Sequence, residues 1–287
     1  MKYYKIKYIL ILFYYFILIL NKKINININK NYENNLNGYN YISKLKKVVY
    51  TVLIGNYDEF HTINKEKGYD YFMLTDQKLE NSSMLNWTIL RIKNTKNLST
   101  KKKFKAQRFY KINPHLFFKN YDLSIYIDTT YEIKGNLDDF LLNFYIFKFL
   151  FLSLKLLRIL SPNLSIYVLE HPKRNSIYKE MKAVINCKKD SKSLITIIKN
   201  KYKNQHFSDN NGLSENCLII RKHNEINCIN FMEQWYNEVN KYSHRDQLSF
   251  CYILWKTRYK IVKYISKQFS NEYFHQYEFH LKSFNFK

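Results

Sequence analysis

The sequence predicts an α/β fold, a mainly parallel sheet flanked by helices, on three observations. Short β-branched and aromatic runs recur along the body: "KVVYTVLIG", "DYFMLTD", "LSIYID", "LSIYVLE" and "CLIIR". Segments with helical apolar spacing lie among them. Several runs stop abruptly at Gly55, Asp76, Asp128 or His171. Alternation of this kind gives a sheet covered by helices on both faces, with ligands beyond the carboxyl ends of the strands.

Each element has a local reason. Val48 to Ile54 is an apolar strand that breaks at Gly55-Asn56, a turn pair. "DYFMLTD" repeats the form and "WTILRI" reads as a third strand. "TKKKFKAQRFYKINPHLF" has helical spacing and halts near Asn113-Pro114, because proline restricts the residue before it. "LSIYID" follows, and "NLDDFLLNFY" restarts a helix with Asn136 as cap. "LSIYVLEHP" is a strand broken by Pro172. "RNSIYKEMKAVIN" places Ile177, Met181, Val184 and Ile185 on one helical side. "NCINFMEQWYNEVNKY" and "RDQLSFCYILWKTRY" are the last two clear helices, and Trp235 and Trp255 read as core.

A chain of 287 residues suits one sizeable core with a short leader. Residues 1–23 carry lysines, then the apolar run Tyr8 to Leu20, then Lys22-Lys23. Small residues for a cleavage site do not follow, so a signal anchor is expected, with a cleaved signal peptide as the second reading. Residues 24–45 are polar and Asn-rich, a stem. An anchor of this kind implies a type II protein of the ER or Golgi membrane, with its body in the lumen. Sequons at Asn81, Asn86, Asn97 and Asn163 agree with lumenal placement.

The formal net charge is +24, and basic chains favour anionic partners. The lysines are scattered, with short clusters at Lys44 to Lys47 and Lys101 to Lys103. Most of the charge therefore reads as solvated surface. Four cysteines without CxxC spacing make no zinc site by pattern, and a secretory compartment leaves disulfides open. There is no GxGxxG, P-loop or GxSxG, so dinucleotide oxidation, kinase chemistry and serine hydrolysis have no support.

Asp128 ends its strand just after a helix that carries Lys105 and Arg108. A carboxylate beside cations at the open end of a sheet suits a diphosphate bridged by a hard divalent ion, Mn²⁺ or Mg²⁺. A helix cap or loop contact is the plainer alternative.

"KVVYTVLIGNYDEF", "AQRFYKINPHLFFKNYDLSIYIDTTYEI", "VLEHPKRNSIYKE", "GLSENCLIIRKHN" and "HRDQLSFCYILWK" resemble, in order, the motifs of a glycosyltransferase-like family. Its plant members are associated with mucilage and pectin, and it was long described as a domain of unknown function. The resemblance runs from about Lys47 to Lys256. The family is similar to nucleotide-sugar transferases of the GT-A fold, whose hallmark is Asp-x-Asp at a strand end. The resemblance therefore implies a GT-A-like domain over 46–270, followed by a tail at 271–287. It places Asp128 and Thr130 in the metal and donor-diphosphate motif. This chain has Asp-Thr-Thr, without the second carboxylate. A metal-independent site held by Arg108 and lysines is the alternative. The resemblance also makes the apolar stretch 144–160 look inserted.

The resemblance implies nucleotide-base contacts by Gly55, Asn56 and Tyr57. Asp76 is a candidate for base or ribose. His171 and Arg174 are candidates for the diphosphate or its ion. Glu215 is a candidate for the acceptor proton or a sugar hydroxyl. Arg245, Asp246 and Gln247 put a cation, a carboxylate and an amide side by side, the groups that read sugar hydroxyls, and Asp246 is also a candidate base. Together these predict a glycosyltransferase that moves a hexose from a nucleotide sugar to a glycan or glycoprotein, with no nucleic acid partner. The rival readings are a basic module for acidic polysaccharide or nucleic acid, and an inactive transferase fold with an assembly role.

Overall fold

The computed structural model describes residues 38–55, 58, 61–78, 86–143, 165–209 and 211–277. The expected anchor at 1–23, Asn56, Tyr57 and the apolar stretch 144–160 lie outside the described residues. Among the described residues no helix is long and apolar enough to cross a membrane. The chain divides into two compact units. The described part of the smaller one is helical at 38–44 and 138–143, where Tyr39 donates a hydrogen bond to Asp139.

The larger unit, Leu45–Leu137 with Pro162–Lys287, holds the sheet. Its strands are β1 (Lys47–Leu53), β2 (Tyr69–Thr75), β3 (Thr88–Arg91), β4 (Leu123–Ile127), β5 (Tyr131–Ile133), β6 (Ile166–Glu170), β7 (Ser214–Arg221), β8 (Val262–Ile265) and β9 (Phe274–Gln276). Its helices are α1 (Thr100–Ile112), α2 (Pro114–Phe117), α3 (Ile177–Asn186), α4 (Lys192–Asn204), α5 (Ile226–Lys241), α6 (Gln247–Thr257) and α7 (Lys267–Ser270). Seven strands form one sheet in the order β3-β2-β1-β4-β7-β6-β8, while β5 and β9 make a separate antiparallel pair.

The expected mainly parallel α/β sheet is present, with one strand reversed. β7 runs antiparallel to both β4 and β6, and the other ladders of the large sheet are parallel. β1, β2, β4 and β6 therefore finish on the edge where β7 begins. That edge gathers Gly55, Asp76, Asp128, His171 and Glu215. Apolar alternation reports burial and says nothing of strand direction, so the reversal was not visible in the pattern.

β1 and β4 are buried along their whole length, as "KVVYTVL" and "LSIYI" require of central strands. On one side the core joins Val48, Tyr50 and Val52 of β1 to Phe231 and Trp235 of α5 and Phe250 of α6. The buried face of α3 is Ile177, Glu180, Met181 and Val184, while Ile185, expected on the same side, is only partly buried against the core. Trp235 is fully buried, and its indole N–H donates to the carbonyl of Asp246 at 3.1 Å. That bond ties the start of α6 to the core. All four cysteines are unpaired.

Candidate active site

α1 stops at Ile112 because Asn113 precedes Pro114, which opens α2. Its last carbonyls are caught by a fully buried cation. Arg221 of β7 donates to the Lys111 carbonyl at 2.9 Å and to the Ile112 carbonyl at 3.2 Å, and the Tyr50 hydroxyl donates to the Lys111 carbonyl at 2.6 Å. A cation at a helix C-terminus meets both the orphan carbonyls and the dipole. The last turn of α1 is thereby fixed, and with it the side chain of Lys111.

Lys111 is 2% exposed, and its ammonium bridges two carboxylates. It lies 2.8 Å from Asp246 Oδ2 and 3.7 Å from Asp128 Oδ1. Arg108, one turn earlier on α1, is 3.5 Å from the same Asp246 oxygen. Asp246 is the cap residue of α6, yet its side chain makes no cap hydrogen bond and turns instead to these cations. Burial by itself would raise its pKa. Lys111, then Arg108 and Arg245, outweigh that and hold it at about 2. Asp128 is anchored through its backbone N–H, which donates to the Cys217 carbonyl at 2.8 Å, and its Oδ1 accepts from the Tyr126 hydroxyl. Next to it, Thr129 donates to Asp58 at 2.7 Å.

These groups line one cleft of about 510 Å³ at the sheet edge. Of the expected residues, Arg108, Asp128, Thr130, His171, Glu215, Arg245, Asp246 and Gln247 line it together. His171 accepts from the backbone N–H groups of Lys173 and Arg174, and Arg174 pairs with the buried Glu180. Burial, and then Arg174, keep the His171 imidazole below its ordinary pKa against the pull of Glu180. Glu215 pairs with Lys267 at 3.1 Å, and Lys267 also contacts Tyr131 and Gln276, so β5, β9 and α7 brace that carboxylate.

Gly55 and Asp76 are brought together outside that lining. Asp76 Oδ1 accepts from the Gly55 N–H at 2.9 Å and its Oδ2 accepts from the Thr95 hydroxyl at 2.7 Å. Gln77 donates to the Gly55 carbonyl at 2.6 Å, and Gly55 has φ +92°, a backbone that side chains resist. Asn56 and Tyr57, the other base-contact candidates, lie outside the described residues.

Lys105 is a correction. Its ammonium donates to the Asn240 carbonyl on α5 and does not reach the cleft. Helical spacing allowed either neighbour of Arg108, three residues before or three after, and the later one, Lys111, faces the site. Asp58, Gln107, Glu180, Lys189, Asn216 and His244 also line the cleft without having been singled out.

The charged lining is balanced. Arg108, Lys111, Arg174, Lys189 and Arg245 face Asp58, Asp128, Glu180, Glu215 and Asp246, five of each sign among the described residues. A dianionic diphosphate would leave that balance negative. No group of three His, Cys, Asp or Glu residues able to hold a metal occurs among the described residues. Asp128 alone still fits the mode in which Mg²⁺ or Mn²⁺ takes one carboxylate and completes its shell with phosphate oxygens and water.

A family model described as the TOD1/MUCI70, glycosyltransferase-like domain matches residues 30–281. Among solved structures, the apo WbbM bifunctional glycosyltransferase is similar at 14% identity and a TM-score of 0.44, over 77% of this chain and 39% of that one. The chain thus spans well under half of that protein. Apo mouse xyloside xylosyltransferase 1 is similar at 10% identity and a TM-score of 0.45, over 76% of this chain and 85% of that one. No curated protein sequence matches the chain. With its motifs in order and the family model spanning most of its length, this chain belongs to the TOD1/MUCI70 family and carries that family's glycosyltransferase-like domain.

Proposed function

We propose that the protein transfers a hexose from a nucleotide sugar to a glycan or glycoprotein acceptor. The observation that carries this reading is the Asp128–Lys111–Asp246 bridge. It places a strand-end carboxylate and a helix-start carboxylate on one cleft, joined by a buried cation. The nucleoside lies toward the ends of β1 and β2, where Asp76 holds the Gly55 turn. The diphosphate lies at Asp128 and Thr130, and the sugar lies toward Arg245, Asp246 and Gln247.

Asp128 would hold a divalent ion arriving with the diphosphate, and that ion would supply positive charge against the departing nucleotide. Lys111 and Arg108 add fixed cations on the same side. Asp246 is held ionised at about 2, too acidic to take a proton near neutrality, and so serves as a permanent acceptor for sugar hydroxyls. Glu215, braced by Lys267, takes the proton of the acceptor hydroxyl. The balanced charge of the lining offers no extended positive track for a polyanion lying along the cleft.

The apolar leader fits a type II anchor in an ER or Golgi membrane with a lumenal body. Protease protection of the body in sealed vesicles tests that placement, and digestion of the body in intact vesicles rejects it.

Calorimetric titration of the full chain with a panel of nucleotide sugars, with and without Mn²⁺, tests the activity. Binding of one donor class is expected, strengthened by Mn²⁺ and lost in Asp128→Ala. The reading fails if no nucleotide sugar binds, or if Asp128→Ala binds equally well.

A further inference from the structure

We infer that Asn216 reads the hydroxyl groups of the transferred sugar, an assignment that rests on the nucleotide-sugar reading above. Asn216 lies near the start of β7, is 1% exposed and lines the cleft. Neither its Oδ1 nor its Nδ2 has a hydrogen-bond partner among the described residues. Folding places an amide in this position at a cost, because a buried polar group without a partner loses its water and gains nothing. Such groups in native structures are rare and call for an explanation, and at the wall of a ligand cleft the ligand supplies one.

A second buried group points the same way. Arg245 Nε also lacks a partner among the described residues and lines the same cleft. The two are linked through Gln247. An Arg245 guanidinium N–H donates to Gln247 Oε1 at 3.4 Å, and Gln247 Nε2 lies 3.5 Å from the carbonyl of Ser214, two residues before Asn216. The start of α6 and the start of β7 thus form one wall, which also carries the ionised Asp246.

The chemistry of that wall matches a pyranose. An amide offers one acceptor and two donors, the guanidinium adds a donor, and the carboxylate accepts. Adjacent sugar hydroxyls each donate and accept, so they complete Asn216 from both ends. A nucleoside diphosphate without the hexose keeps its ribose hydroxyls and phosphate oxygens, which the reading above assigns to the Gly55 turn and to Asp128. Asn216 and Glu215 are neighbours on β7 and both line the cleft, at the point where the register between β6 and β7 shifts. One short stretch of β7 therefore serves two tasks, with Asn216 reading the donor sugar and Glu215 meeting the acceptor.

The test compares wild type, Asn216→Leu and Asn216→Asp by calorimetry. The probes are UDP, GDP, UDP-glucose, UDP-galactose and GDP-mannose, and thermal melting is measured without ligand. In Asn216→Leu, affinity for the best-bound nucleotide sugar should fall about tenfold or more, while its nucleoside diphosphate binds within about twofold of wild type. The unliganded melting temperature should stay level or rise, because a buried unpaired amide has been removed. Asn216→Asp keeps an acceptor and loses the donor, so its preference among epimeric sugars should shift even if the leucine variant does not fold. Equal losses for the sugar nucleotide and the bare diphosphate overturn the assignment. So does unchanged sugar selectivity in both variants, which would mark Asn216 as a packing residue. Absence of any nucleotide-sugar binding by wild type is a different failure, because it removes the transferase reading and this assignment with it.

Discussion

Asp76 and Asp128 occupy the same place in the chain pattern, each the first residue after a parallel strand, and they end in opposite electrostatic situations. Asp76 spends both oxygens on its own protein, accepting from the Gly55 N–H and the Thr95 hydroxyl. Those donors are neutral, and they shape a turn. Asp128 and its partner across the cleft, Asp246, share a buried ammonium. Beside them Asn216 and the Arg245 Nε have no partner among the described residues. A strand-end aspartate is therefore no sign of function by itself. What separates the two is whether the partners are neutral groups of a turn or buried cations beside unsatisfied polar atoms.

The widest gap between the two regions should appear when a charge is removed. Lys111→Met leaves Asp246 buried with only Arg108 and Arg245 to offset its charge. Removing one partner of a buried ion pair costs about 3 to 5 kcal/mol, since the remaining charge is left without full compensation. Urea unfolding of the variant measures this, and a loss under about 1 kcal/mol would place the bridge among weak surface-type pairs. The double variant Lys111→Met with Asp246→Asn should recover part of the loss, because the stranded charge is gone.

How far the sequence disclosed this difference depends on the residue. The strand ends are legible because an apolar run that stops on a carboxylate is a local signal, which marks Asp76 and Asp128, whereas Glu215 stands out as a carboxylate entering a strand and Asp246 as part of the run Arg-Asp-Gln that opens a helix. Lys111 was not singled out, since the chain has 47 Lys and Arg residues and helical spacing alone leaves two equivalent neighbours of Arg108. Asn216 sat inside an Asn-rich chain, where one more asparagine carries no contrast. Its meaning comes from what it fails to contact, which is a property of packing. The reversal of β7 was hidden for a similar reason. Direction is set by connections across the sheet, and it is this reversal that brings Glu215 and Asn216 to the ligand edge. α4 was missed although its buried residues, Ile195, Ile198 and Tyr202, keep helical spacing, because lysines and asparagines dilute the apolar stripe.

A pH series sharpens the comparison at an intermediate size. The Asp246 carboxyl is held at about 2 in the folded protein, below the 3.8 of a free side chain. Between those values the unfolded chain binds the proton and the folded one does not. This contribution is complete above about pH 4 and is lost as the pH falls toward 2. The side chain is 6% exposed, so solvent screening is slight. The shift corresponds to about 2 kcal/mol. The stability difference between wild type and Asp246→Asn should shrink by about that amount from pH 5 to pH 2. A difference that stays constant over this range would mean that the cations do not hold Asp246 ionised.

The smallest effect is expected at the region that looks most similar in sequence. Asp76→Asn retains one oxygen for either the Gly55 N–H or the Thr95 hydroxyl and sets an amide N–H against the other. One neutral hydrogen bond is lost and an awkward donor pair is created, a cost of about 1 to 2 kcal/mol. Gly55 has a left-handed backbone, so loosening its anchor lets the turn relax while the cleft wall of Asp128, Lys111 and Asp246 is untouched. Nucleotide-sugar affinity in Asp76→Asn should therefore fall by less than about tenfold, through the loosened nucleoside turn, against the full loss expected for Asp128→Ala. Calorimetry on the two variants side by side decides the matter. If Asp76→Asn instead abolishes binding at unchanged stability, its carboxylate touches the nucleoside directly, and the line drawn between neutral-partnered and cation-partnered strand ends would have to be redrawn.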